Sequence, residues 1–263
     1  MLSTAASTET VIEAKDLSVG YGGRAVLTGI NFTVASGEVF VIGGGSGCGK
    51  STLMKAMITL LPPVSGTLRI AGHDLVTGGD EAVQQVRRSI GVMYQGGALF
   101  GGLTVLENVR LAMEEQGLFT WTEMNSLALS LLAMVDLDEH CNKMPSALSG
   151  GMQKRAAVAR AMAMNPQIVF LDEPSAGLDP ISSAGFDQMV VRLARSTGRT
   201  FVVVTHELPS IFTIADRMVV LGGAQKTQLA IGSPKELLES GPPDVRRFLA
   251  RQPEDETSQG AAS

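Results

Sequence analysis

The 263-residue sequence is poor in the side chains that mark several common classes of protein. It has one Trp and two Tyr, no block of Lys and Arg, and a formal net charge of −5. A chain that grips nucleic acid needs a basic face and stacking aromatics, so no nucleic-acid partner is expected. There are only two cysteines, Cys48 and Cys141, and three histidines, and their spacing fits neither a zinc site nor a disulfide framework. Although 44% of the residues are hydrophobic, there is no uncharged apolar run of about 18 residues, the length that crosses a bilayer. The opening MLSTAASTET has no basic start and no long apolar core, so it does not read as a secretory signal. The expectation is a cytoplasmic chain without disulfide or structural zinc.

What is present alternates in period. TVIEAKDL, INFTV, EVFVIGG and GTLRIAG are short β-rich runs divided by glycine-containing breaks, an antiparallel layer feeding a buried strand. From Lys50 the spacing turns helical, with Leu53, Met54, Met57, Leu60 and Leu61 on one face until Pro62–Pro63 stops it. Between Gln95 and Ser149 the chain reads mostly helical. Thr104 and Glu107 form a capping-box pattern, and TEMNSLALSLLAMVDL gives a second helix. Strand QIVFL, helix PISSAGFDQMVVRLARS, strand TFVVVTH and helix ELPSIFTIADR then follow, the signature of a parallel sheet covered on both faces. A hairpin, a helix opened by Ser233 and Pro234, and PPDVRRFLARQ close the pattern before the polar PEDETSQGAAS, which is expected to be disordered.

Three stretches carry chemistry. GGSGCGKS, Gly44 to Ser51, matches G-x-x-x-x-G-K-[ST] between a strand and a helix, where backbone N–H groups cradle phosphates, Lys50 reaches the terminal ones and the Ser51 hydroxyl holds Mg²⁺. Cys48 fills a variable position of this loop, and nucleotide is expected to shield its thiol from alkylation. IVFLDEP ends an apolar strand in Asp172 and Glu173 at the carboxyl edge of a parallel sheet. Asp172 is expected on the metal and Glu173 on the attacking water. TFVVVTHE brings His206 to the same edge. SALSGGMQ poses a separate question: Gly150 and Gly151 open a helix, which makes an anion site, yet no lysine stands ahead of Ser149 and no nearby carboxylate could hold a metal.

With these residues assembled, the chain resembles the nucleotide-binding subunit of ATP-binding cassette (ABC) transporters over nearly its whole length. Tyr21 in VGYGG matches the family's adenine-stacking aromatic. Gly44, Gly45, Ser46, Gly47, Cys48, Gly49, Lys50 and Ser51, with Thr52 after them, match the phosphate loop. Gln95 matches the glutamine that links Mg²⁺ and the γ-phosphate to the membrane partner, and LSGG, Leu148 to Gly151, matches the signature. SAGLD, Ser175 to Asp179, matches the dimer-contact loop, and His206 the switch histidine. The resemblance implies an α/β P-loop NTPase (RecA-like) core with an antiparallel β layer and a helical subdomain inserted at about 96–160, an ATPase domain over 10–240 and an extension over 241–263. It implies two copies packed head to tail, with Ser149, Gly150 and Gly151 of one closing on the ATP held by Lys50 of the other. Two departures stand out: Met152 replaces the usual glutamine, and Gly45 stands where proline is common.

YQGGALFGGLTVLENV, LSGGMQKRAAVARA and DVRRFLA are similar to the ATPases of Mce-associated, Mla-type lipid systems. That subgroup implies phospholipid movement between bacterial envelope membranes, with the ATPase dimer on the cytoplasmic face of the inner membrane under a permease dimer docked near Gln95 to Phe100. An Mce-type periplasmic lipid-binding ring and a small cytoplasmic regulator would complete the assembly. Leu99 and Phe100 either receive a permease helix or fill the helical segment's own core, and PPDVRRFLARQ either caps its own subunit or reaches a neighbour. An importer of a polar solute such as an amino acid, and a soluble cassette ATPase, remain the alternatives.

Overall fold

The structure, a computed structural model, describes residues 9–223 and 225–252. Strands β1 (Thr10–Tyr21), β2 (Arg24–Ala35), β4 (Ser65–Ile70) and β5 (His73–Asp74) form an antiparallel sheet in the order β2-β1-β4-β5. Gly22 and Gly23 turn β1 into β2 with both φ values positive, a conformation glycine reaches without a steric penalty.

A second sheet runs β10-β9-β3-β8-β7-β6, built from β3 (Val39–Gly44), β6 (Ile90–Met93), β7 (Ile168–Asp172), β8 (Thr200–Val204), β9 (Arg217–Leu221) and β10 (Gln228–Gly232). All pairings are parallel except β9 with β10. Because strand side chains alternate faces, the continuous apolar runs divide cleanly. Phe40, Ile42, Phe170, Val202 and Val219 face the antiparallel sheet and helix α1 (Lys50–Met57). Val41, Val169, Val203 and Val220 face the helices on the other side. Both faces are buried, as solid hydrophobic strands require.

Helices α3 (Val105–Gln116), α4 (Trp121–Met134) and α5 (Gly150–Ala161) lie between β6 and β7 and pack on one another. The Thr104–Glu107 capping box opens α3 as the sequence indicated, and Thr120–Glu123 opens α4 the same way. Helices α6 (Pro180–Thr197), α7 (Leu208–Ile214), α8 (Pro234–Ser240) and α9 (Pro243–Leu249) complete the chain.

Several expectations are corrected. Helix α1 stops at Met57, not at the proline pair, because Thr59 takes a φ of +64°, and Leu60 is exposed instead of core-facing. Helix α7 ends at Ile214, since Arg217 already pairs in β9. Residues 73–94, assigned no element from sequence, hold β5, helix α2 (Gly79–Ser89) and β6. The expected tail from Pro253 onward lies outside the described residues. Of the two readings of PPDVRRFLARQ, the packing favours the first: helix α9 buries Val245 and Leu249 in its own chain's core.

Candidate functional site

Parallel pairing brings the chemistry-bearing residues to one edge. Strand β3 ends at Gly44, β7 at Asp172 and β8 at Val204, with Asp172 opposite Val204. Met93 pairs with Leu171, so Gln95, two residues past β6 and exposed, stands at the same edge. Glu173 N–H donates to the Val204 carbonyl at 2.8 Å, carrying the register one residue beyond β7.

The phosphate loop leaves β3 and enters α1 as its motif requires. At Gly49, φ is +104° and a Cβ would come within 2.7 Å of Leu27, so only glycine fits. Gly45, Ser46 and Gly47 are exposed, and Ser51 and buried Thr52 lie on the first turn of α1. Lys50 folds back over the loop, its Nζ donating to the carbonyls of Gly44 at 2.9 Å and Gly45 at 3.0 Å. Among the described residues it has no carboxylate within ion-pair distance. A buried cation bonded only to neutral carbonyls is a site that favours an anion. Behind the loop, a cavity of about 480 Å³ is lined by Gly44–Ser46, Leu229, Phe248 and Gln252.

Cys48 is 1% exposed and packs among the core side chains beside Gly44. The expectation that nucleotide shields its thiol is therefore corrected: the protein already does so.

Tyr21, half-exposed at the end of β1, lies beside this loop. Hydrogen bonds with Thr52 and then Lys55 hold its phenol below the usual range, and Lys55 Nζ lies 3.4 Å from the Tyr21 hydroxyl.

At the neighbouring strand ends, burial and then the charge of Glu173 push the Asp172 carboxyl above its ordinary range, against the pull of Lys55 and Lys50. Two adjacent carboxylates at a desolvated edge favour a nearby cation. Among the described residues no cluster of three or more His, Cys, Asp or Glu is placed to hold a metal. A magnesium ion there would draw most of its oxygens from nucleotide and water, which suits its usual coordination.

Glu173 has a φ of +44°, an uncommon conformation for a residue with a Cβ. It aims a mostly buried carboxylate at His206, whose Nδ1 hydrogen-bonds Oε1 at 2.8 Å. Its Oε2 is buried and, among the described residues, has no hydrogen-bond partner. A buried carboxylate oxygen left unpaired is costly, and a water on that oxygen would satisfy it.

The signature stretch stands apart. Ser149 caps α5 by accepting the N–H of Met152 at 3.3 Å, leaving Gly150 at an exposed helix start. Among the described residues, no hydrogen bond or ion pair joins Ser149, Gly150 or Gly151 to Lys50, Asp172 or Glu173. Asp179 caps α6, accepting the N–H groups of Ile181 and Ser182, both at 3.1 Å. Leu99 is half-buried against the core, whereas Phe100 is 54% exposed with the Arg160 guanidinium 5.9 Å from its ring centre.

Sequence reasoning missed Lys154, a buried ammonium that donates to the Ala176 carbonyl beside the Glu173 loop. Its signal was weak: one lysine in a helix with a mixed basic face. It also missed the buried chain from Asp187 through Ser210 to Ser175, whose members are scattered along the sequence.

Comparison with known proteins agrees with this geometry. The ABC transporter family profile matches residues 27–176. The probable ribonucleotide transport ATP-binding protein mkl of Mycobacterium tuberculosis is 34% identical over 90% of this chain, which spans 66% of that protein's length, less than two thirds. The intermembrane phospholipid transport system ATP-binding protein MlaF of Escherichia coli is 33% identical over 92% of this chain and 90% of its own. Among solved structures, CbiO1 of Clostridium perfringens, part of the ABC transporter complex CbiONQ, superposes with a TM-score of 0.81 at 27% identity, covering 88% of this chain and 92% of that one. The ATP-binding cassette MJ0796, a dimer bound to ADP and phosphate, superposes with a TM-score of 0.73 at 30% identity, over 84% of this chain and 98% of that one.

Proposed function

Because the chain belongs to the ABC transporter family as an ATP-binding ATPase subunit, we propose that it drives a bacterial envelope transporter for phospholipid or a related hydrophobic molecule. It would work from the cytoplasmic face of the inner membrane, through a permease. No helix among the described residues is long and apolar enough to cross a membrane itself.

One observation carries the reading: Lys50, Asp172, Glu173 and His206 converge at a single sheet edge, while a second anion-receiving helix end, Ser149 to Gly151, stands apart, open at Ser149 and Gly150, with no lysine ahead of it. Each half is incomplete alone. Two copies arranged head to tail would complete both, as a dimeric state of MJ0796 supports.

In this arrangement the loop N–H groups and Lys50 bind and orient the triphosphate, and Tyr21 offers its ring to the base. A magnesium ion arriving with nucleotide would be held by Ser51, Asp172 and Gln95 and would neutralise phosphate charge. Glu173 Oε2 takes a proton from the attacking water, and His206 holds the same carboxylate through Oε1. Dimer closure excludes bulk water and surrounds the charge that develops on the phosphoryl group. We retain 10–240 as the ATPase domain, with 96–160 as its helical insertion. Exposed Phe100 supports permease docking near Gln95 to Phe100. The Mce-type ring and the cytoplasmic regulator rest on the sequence resemblance alone.

Glu173→Gln is expected to bind ATP with near-normal affinity, lose turnover by at least about 100-fold, and double its mass in light scattering when ATP is present. Lys50→Ala is expected to lose binding itself. A Glu173→Gln protein that hydrolyses ATP at the wild-type rate would overturn the assignment.

A second reading has its own support, since mkl is named for ribonucleotide transport and would make the cargo polar. MlaF favours lipid because the match spans 90% of it. Reconstitution with the co-purifying permease separates the two: labelled phospholipid leaves or enters the vesicle in one case, labelled ribonucleotide in the other.

A further inference from the structure

Lys154 lies on α5 one helical turn beyond Gly150 and Gly151. It is 9% exposed, and among the described residues no carboxylate lies within ion-pair distance of it. Burying an unpaired ammonium is costly, and one backbone carbonyl is a modest return for it. Its nitrogen donates to the carbonyl of Ala176, three residues after Glu173.

That segment is a tight turn: Ala176 N–H donates to the Glu173 carbonyl at 3.2 Å, and Leu178 N–H to the Ser175 carbonyl at 3.0 Å. A shift at Ala176 is therefore carried to the backbone of Glu173, which already holds a positive φ. From the other side, Ser175 Oγ lies 3.4 Å from Ser210 Oγ, and Ser210 bonds to Asp187. Leu178 lies where a methyl group added to Gly150 or Gly151 would meet it at 3.9 Å. The signature end of α5 and the loop after Glu173 thus form one packed unit. Burial lowers the pKa of Lys154, and the charge of Glu173 partly opposes that.

We propose that Lys154 is a positioning residue: by holding Ala176, it ties the loop of this chain's own base to the helix whose start completes the neighbouring ATP site, so that closure on one nucleotide sets the base at the other. This rests on the composite-site reading above. The base itself remains Glu173, and Lys154 acts through it.

The test is steady-state ATP hydrolysis by the full chain with its permease, comparing Lys154→Met and Lys154→Arg with wild type. The Met variant should keep its KM for ATP and its melting temperature while kcat falls at least about tenfold, since displacements near 1 Å can cost about 100-fold. The Arg variant should recover to within about threefold. Should the Met variant not fold, Lys154→Gln, whose shorter neutral amide leaves Ala176 out of easy reach, carries the same expectation. An unchanged kcat, or a loss that tracks lowered melting and is not recovered by Arg, overturns the proposal. If that happens while Glu173→Gln still abolishes turnover, the ATPase reading stands and only the tether falls. If wild-type turnover is indifferent to Glu173→Gln, the broader reading has failed first.

Discussion

A carboxylic acid sealed among helices resists ionisation, and Asp187 is in that position. It is 3% exposed, and burial raises its pKa to about 6 against the lowering effect of the Ser210 hydrogen bond. The native state therefore holds this proton more tightly than the unfolded chain, whose group titrates at its ordinary value of 3.8. As pH climbs from about 4 to above 6, folding loses stability from this group, with a ceiling of about 3 kcal/mol. Asp187→Asn keeps the shape and a partner for Ser210 without the charge. It should raise the melting temperature relative to wild type at pH 7.5, with the difference shrinking toward zero below pH 4; a gap independent of pH would count against this. Gly49 is the opposite case, a residue whose lack of a side chain is the requirement. Gly49→Ala places a Cβ 2.7 Å from Leu27 at a φ of +104°, and should cost about 1–3 kcal/mol and weaken ATP binding in a titration.

Helix starts are where local chemistry speaks most clearly. Thr104, Thr120 and Ser233 each accept an N–H three residues on while a glutamate reaches back, so three helices begin at points their own side chains dictate. Thr120→Ala should cost about 1 kcal/mol, read as a lowered denaturant midpoint with no change in ATP affinity, because α4 lies away from the phosphate loop. Two of these starts were legible from sequence: a capping pair at Thr104 and Glu107, and Ser233 followed by proline. The harder elements were β6, four residues interrupted by Gly91, and α2, which buries only Ala82 and Val86. β6 is too short for its alternation to stand out and α2 has too few apolar residues; pairing with β7 and packing on the sheet make them regular. The overlong reading of α1 has the same origin, since Leu60 continues the apolar spacing while the backbone at Thr59 has already turned away.

Across the whole molecule, one six-stranded sheet separates two cores, and α9 seals one of them beside the phosphate loop. Leu249, 4% exposed, should cost about 2–4 kcal/mol when cut to Ala, seen in thermal melts of the chain before any partner is added. The order of amino acids was enough to mark the apolar strands of a parallel sheet, the phosphate-loop pattern, the adjacent carboxylates and the starts at Thr104 and Ser233, because each of these patterns lies within a few neighbouring residues. It did not establish that His206 meets Glu173, that Lys154 reaches Ala176, that Cys48 is sealed away or that α9 folds onto its own subunit. Those are contacts between parts of the chain tens of residues or more apart, or depths of burial, and they exist only once both faces of the sheet are packed.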